Sequence, residues 1–123
     1  MKPSYRDCES LFLKEWSRYN NSKVYLESSG FGSNFDLIRA TNSKTEEIVL
    51  YHIEVKRRFE SVLSQIPKIV FEMLKVKLLE RWKVQDIYMK YGVPYWGQNA
   101  LVKSGLFMFW RFWHLERRQK NEQ

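Results

Sequence analysis

The residues best suited to contacting another molecule lie in the stretch KVQDIYMKYGVPYWGQNALVKSG, residues 83–105. The side-chain amide of Gln98 or Asn99 can form paired hydrogen bonds to adenine in the DNA major groove, or these amides are solvated or cap the helix. Tyr95 and Trp96 can touch a thymine methyl group or a phosphate, or can belong to the core. The pattern favours duplex DNA as the ligand. The predicted DNA-binding residues are Lys83, Tyr95, Trp96, Gln98, Asn99, Lys103 and Arg118.

The formal charge of +7 is unevenly distributed along the 123 residues. Residues 81–123 hold eight Lys/Arg against three Asp/Glu, a net of +5, whereas residues 1–80 hold thirteen against eleven, a net of +2. Each phosphate that such a surface neutralises releases counterions, so the distribution suits a polyanionic partner. Charge alone leaves two other readings open, an anionic lipid and a basic surface without a specific partner.

The residue types present give little support for an enzymatic function. The chain has two histidines, His52 and His114, and one cysteine, Cys8, and it shows no carboxylate pair or glycine-rich phosphate loop in a fitting context. Both histidines are interpreted as structural, because His52 lies on an apolar helix seam and His114 lies beside aromatic residues. We expect no catalysis, no metal site and no cofactor.

The cellular compartment is predicted from cysteine usage and apolar runs. A single cysteine allows no intrachain disulfide, which favours a reducing compartment. The first residues, MKPSYRDCESLFLKEW, carry charges throughout, so no secretory signal is expected. The apolar run LFMFW, 106–110, ends at Arg111, whereas a membrane span needs about 20 apolar residues. We therefore expect a cytoplasmic protein without a membrane partner.

Apolar periodicity predicts an all-α protein of about five helices in one domain, residues 1–123. A first helix is predicted over 5–27, and SSGFGSN opens a predicted mobile connection over 28–42. Ser43 and Glu46 are spaced as a capping box, which begins a long middle helix over 43–66. The predicted apolar face of the first helix contains Cys8, Phe12, Trp16 and Tyr19.

Two further apolar stripes follow along the chain. The seam of the middle helix packs within the chain or against another copy, so a homo-oligomer stays open. Pro67 suits the first position of a third helix, which is predicted to run to about residue 82. The seam contains Ile48, His52, Val55, Phe59, Val62 and Ile66. The stripe of the third helix contains Val70, Leu74, Leu78 and Leu79.

The region 67–118 is predicted to contain a C-terminal helix-turn-helix. A short fourth helix over 84–91 and a fifth from about 95 towards 118 are joined by a turn of the length that this motif uses. Gly92 can take a positive φ and close the fourth helix, and Pro94 prevents a straight continuation.

The stretches TNSKTEEIVLYHIEVKRRFESVLSQI and VKLLERWKVQDIYMKYGV resemble the RinA/ArpU-type phage late-gene transcription regulators. Members of that family are similar in length, carry a cap like Asn42–Glu46 and end in a helix-turn-helix similar to region 4 of sigma factors. The resemblance covers the layout of residues 5–118, and its one near-literal motif is the five-residue cap. It implies a phage or prophage regulator that binds a promoter region and activates late genes, with host RNA polymerase or another host protein as a further partner.

Two alternatives stay open, because family members usually carry Ser or Thr and charged residues where this chain has YWGQN, 95–99. The first is a phage protein-interaction module that inhibits a host nucleic-acid machine through its aromatic and basic C-terminal surface. The stretch FMFWRFW, 107–113, would belong either to that surface or to the core. The second is a small terminase-type subunit that packages DNA as a ring.

Overall fold

A computed structural model describes the backbone of residues 3–29 and 43–122 and the side chains of residues 3–28 and 46–116. The described part of the chain contains five α-helices and no strand, which confirms the predicted all-α class. We label the helices α1 (Tyr5–Ser29), α2 (Ser43–Ser64), α3 (Lys68–Leu74), α4 (Val84–Tyr91) and α5 (Tyr95–Glu122), and a π-helical turn, Lys75–Leu79, directly follows α3.

The first two residues of the predicted connection over 28–42 are helical in the structure. Residues 28 and 29 belong to α1, which continues to Ser29, and residues 30–42 lie outside the described part of the chain. Helix α2 begins at Ser43, the predicted start. The side chains of residues 43–45 are not among those described, so the capping box stays a prediction.

The described residues form two compact units. One comprises the residues up to Phe12 together with those from Val62 onward, and the other comprises the described residues between Leu13 and Ser61. None of the helices described is both long and apolar enough to cross a bilayer.

In the unit between Leu13 and Ser61, α1 packs on α2 through aromatic rings. Tyr19 stacks on Phe59 with ring centroids 4.6 Å apart, and Trp16 lies 5.9 Å from the same ring. Further along, Leu26 and Val49 are buried together. The apolar faces of both helices therefore meet, as their spacing predicts.

The predicted apolar seam of α2 is wrong at one residue, Ile48. Ile48 is 48% exposed, whereas its neighbour Val49 is fully buried. Two straight helices in contact cross each other, so the line of contact drifts around each helix from turn to turn. At the first turns of α2 that line reaches Val49 instead of Ile48.

In the other unit, α3 and α5 approach closely at Gly105. A Cβ atom at this position would lie 2.7 Å from Val70 Cγ1 and 3.1 Å from Leu74 Cδ1, so only glycine allows this approach without a shift. Phe109 is fully buried and meets Phe12 edge-on, with ring centroids 5.3 Å apart. Trp113 is also buried, so these two aromatics of the 107–113 stretch belong to the core.

The predicted stripe of the third helix is correct only in its first half. Val70 and Leu74 are buried, but Leu78 and Leu79 are half-buried, and Met73 and Val76 take core positions. The π-helical turn explains the change, because its wider i→i+5 winding rotates the following side chains away from the face that a 3.6-residue period predicts.

The predicted third helix also ends earlier than residue 82. Arg81 adopts the left-handed conformation, with φ 53°. The next residue, Trp82, donates its backbone N–H to the Val76 carbonyl at 2.8 Å, which closes the end of the π-helical turn. A side chain in this conformation costs about 1–2 kcal/mol.

Candidate nucleic-acid interface

Helices α4 and α5 are joined by a tight turn of three residues, 92–94. Gly92 is left-handed, with φ 70° and ψ 16°, and its N–H donates to the Tyr88 carbonyl at 2.8 Å. On the other side of the turn, the Gln98 N–H donates to the Pro94 carbonyl at 2.8 Å and closes the first turn of α5. The predicted limits of this region, 84–91 and a start at 95, are confirmed.

The buried side-chain amide of Gln98 stabilises the turn. The Gln98 side chain is fully buried, and its Nε2 donates to the Val84 carbonyl at 3.1 Å and to the Val93 carbonyl at 2.8 Å. Val84 begins α4, and Val93 lies in the turn, so one side chain of α5 joins both segments that precede it. Both amide hydrogens are used in these bonds.

The predicted base contact of Gln98 is therefore wrong. A side chain with no exposed surface and no free donor cannot reach a base edge. The sequence carries a signal for this outcome, because Gln98 precedes Val102, Gly105 and Leu106 at intervals of four, seven and eight residues. These intervals place it on the buried face of α5.

The opposite face of the first turns of α5 is open to solvent. Trp96 is exposed, as are Asn99, Ala100 and Lys103, which lie three, four and seven residues after it. We call these four residues the outward face of α5. The exposed fraction is 76% for Trp96 and 61% for the adjacent Tyr95. The structure thus brings three of the predicted DNA-binding residues, Trp96, Asn99 and Lys103, onto one helix face.

Lys77 was not predicted as a site residue, yet it contacts two of the residues that were. Its Nζ donates to Asn99 Oδ1 at 3.1 Å and lies 5.4 Å from the centroid of the Tyr95 ring. The residue belongs to the π-helical turn, 22 positions before Asn99. A carbonyl oxygen has two lone pairs, so Asn99 keeps one acceptor site and both amide hydrogens for a further partner.

Other cations and apolar side chains surround the turn. Lys83 is exposed directly before α4, and Lys90 lies 5.0 Å from the centroid of the Trp82 ring. On α4, Tyr88 and Met89 are exposed. The side chain of Arg118 lies outside those described, so its predicted phosphate contact stays a prediction.

The two histidines have identifiable hydrogen bonds. His114 Nδ1 lies 2.8 Å from the Trp110 carbonyl, and His52 Nδ1 lies 2.8 Å from Ser22 Oγ. Among the described residues, no group of three or more His, Cys, Asp or Glu side chains could hold a metal ion. Near the turn, the exposed side chains offer hydrogen-bonding groups, cations and aromatic rings to a ligand.

Comparison of the chain with family models, curated proteins and solved structures finds no match.

Proposed function

We propose that the protein binds duplex DNA through α4, the turn and α5, used as a helix-turn-helix, and that it regulates transcription. The outward face of α5 is the observation that carries this proposal. It presents an amide, a large aromatic ring and a cation directly after a tight turn. In helix-turn-helix proteins the first turns of the second helix contact base edges in the major groove.

Each exposed residue has a distinct part in this proposal. Asn99 pairs with an adenine edge, and Trp96 contacts a thymine methyl group or the sugar-phosphate backbone. Lys103 and Lys83 neutralise phosphates on either side of the groove. Gln98 does not contact DNA. Its hydrogen bonds hold α5 at a fixed angle to α4, so the outward face is preorganised for binding.

The narrower proposal is that the DNA is a phage promoter and that binding activates late genes in a bacterial cytoplasm. Its support is the resemblance of residues 42–46 and of the helix order to the RinA/ArpU-type regulators. The protein partner in this role is host RNA polymerase or another host protein.

A second candidate function is binding to a host protein, and the exposed apolar side chains favour it. Trp96, Tyr95, Tyr88 and Met89 all expose more than half of their surface at the turn. Aromatic residues and Met are enriched at the centres of protein interfaces. In this alternative the same surface inhibits a nucleic-acid machine by occupying it.

Salt-dependent DNA binding tests the first candidate. Fluorescence anisotropy with a labelled duplex should show an affinity that falls linearly with the logarithm of salt concentration. Replacing Lys103 by Gln should lower the slope by about one unit, because one phosphate contact is lost. Lys23→Gln removes the same charge from an exposed position of α1 and serves as the matched control. Absence of binding at low salt, or equal slopes in the two variants, would remove the DNA proposal and leave the protein-binding alternative.

A further inference from the structure

A polar cleft lies on the unit between Leu13 and Ser61, and none of its lining residues is used in the proposed function. It is an open cleft with a volume of about 350 Å³, and it is lined by two cationic side chains, five neutral polar ones and no carboxylate. The lining residues are Lys14, Ser17, Arg18, Asn21 and Ser22 of α1 and Tyr51 and His52 of α2.

The spacing along α1 places the cations and neutral donors on one face. Lys14, Ser17, Arg18 and Asn21 recur at intervals of three and four, and all four are exposed. Arg18 Nη1 lies 3.5 Å from Glu15 Oε2, and the Glu15 side chain is 5% exposed. This contact positions the guanidinium while leaving its other N–H groups available to a ligand.

His52 is held in one orientation beside these donors. Its Nδ1 is bonded to Ser22 Oγ at 2.8 Å, its ring stacks on Tyr25 at 4.2 Å, and Tyr51 meets it edge-on at 5.1 Å. Burial lowers the pKa of His52, which favours the neutral imidazole. When Ser22 donates to Nδ1, the hydrogen lies on Nε2, and the ring offers one donor to the cleft.

We propose that this cleft binds a phosphate group. An ammonium, a guanidinium, a hydroxyl, an amide and an imidazole together supply more donors than the two oxygens of a carboxylate can accept. A phosphate ester presents three oxygens and a larger negative charge, so it matches the set better. The phosphate belongs either to a small ester or to a nucleic-acid backbone. The cleft volume is at the lower end of the range of about 300–1,000 Å³ that small ligands occupy.

Proton NMR of the full-length protein tests the proposal, because the chain has only two histidines. The Cε1–H resonances of His52 and His114 are assigned with His114→Gln. Inorganic phosphate, adenosine monophosphate or a short DNA duplex is then added at constant pH and at an ionic strength matched with sodium chloride. We expect a saturable shift of the His52 resonance and no comparable shift of the His114 resonance.

The variants show whether the shift comes from the cleft. Lys14→Gln should raise the ligand concentration at half-maximal His52 shift by about tenfold, as expected for loss of one charged hydrogen bond. Lys23→Gln, on the same helix, should leave this concentration unchanged. Lys14 is the better choice, since Arg18 also contacts the buried Glu15. Circular dichroism checks that both variants are folded.

The three probes distinguish the source of the phosphate. Tighter binding of adenosine monophosphate than of inorganic phosphate supports a small ester, and a His52 shift with the duplex alone supports a nucleic-acid backbone. The proposal is overturned if none of the probes shifts His52, if both histidines shift alike, or if Lys14→Gln behaves as Lys23→Gln. The results with inorganic phosphate and adenosine monophosphate do not depend on DNA binding at the turn before α5.

Discussion

Gln98 and Asn99 are neighbours in the chain and carry the same functional group, yet they lie in opposite environments. Gln98 is fully buried and donates to two backbone carbonyls. Asn99 is exposed and accepts a hydrogen bond from Lys77 across 22 residues of chain. The residue type fixes what an amide can do, but the rotation of α5 about its axis decides whether the amide acts on the protein or on a ligand.

The same contrast extends along the first half of α5. Its buried face contains Gln98, Val102, Gly105 and Leu106, and its outward face contains Trp96, Asn99, Ala100 and Lys103. Substitutions on the buried face should lower the free energy of unfolding, whereas substitutions on the outward face should change ligand binding and leave stability nearly constant.

The largest effect is expected at Phe109, further along the buried face. Phe109→Ala removes a fully buried ring that contacts Phe12 and stacks against Trp113, so it should lower the free energy of unfolding by about 3–5 kcal/mol. Urea denaturation followed by tryptophan fluorescence measures the loss. Met89→Ala, at a residue that is 76% exposed, should change stability by no more than about 0.5 kcal/mol. Similar losses in both variants would contradict the assigned burial.

A smaller loss is expected at Gln98. Gln98→Met keeps most of the side-chain volume but leaves the Val84 and Val93 carbonyls without their donor, which should cost about 1–3 kcal/mol. Asn99→Ala should change stability by about 0.5 kcal/mol or less. Thermal and urea unfolding of the two variants gives the comparison. A larger loss of stability in Asn99→Ala than in Gln98→Met would contradict the burial of Gln98 and the exposure of Asn99.

The two left-handed positions, Gly92 in the turn and Arg81 at the end of the π-helical turn, should respond to substitution by different amounts. Gly92→Ala places a Cβ in the left-handed region, and although no atom lies within 4 Å of it, the conformation itself costs about 1–2 kcal/mol. Arg81→Gly relieves a left-handed arginine but adds chain entropy to the unfolded state, so it should change stability by less than about 1 kcal/mol. Unfolding midpoints measure both changes, and a larger loss at Arg81 than at Gly92 would contradict this account.

The ends of α4 and the start of α5 could be predicted because their signals are local. Gly92 permits a positive φ, and Pro94 blocks a continuous helix, so neither needs information from distant residues. Leu78 and Leu79 were misplaced because a π-helical turn has no clear sequence pattern and rotates every side chain within it.

The candidate site was harder to predict than the helices. The amide of Gln98 looked available, since polar residues after a turn are usually exposed, and only its spacing with Val102 and Leu106 indicated burial. Lys77 was missed because its contacts with Asn99 and Tyr95 arise from packing between distant segments. Trp96 could be selected by type, but its exposure follows from the rotation of α5, which the sequence alone left open.

The most direct test measures how well the protein distinguishes DNA sequences. In vitro selection from a random duplex pool identifies a preferred site, and anisotropy then gives the difference in binding free energy between that site and a scrambled duplex. Asn99→Ala should narrow this difference by about 1–3 kcal/mol, while folded Gln98→Met should preserve it. If no sequence is enriched, or if Asn99→Ala and Trp96→Ala both leave the difference unchanged, the outward face of α5 does not read DNA.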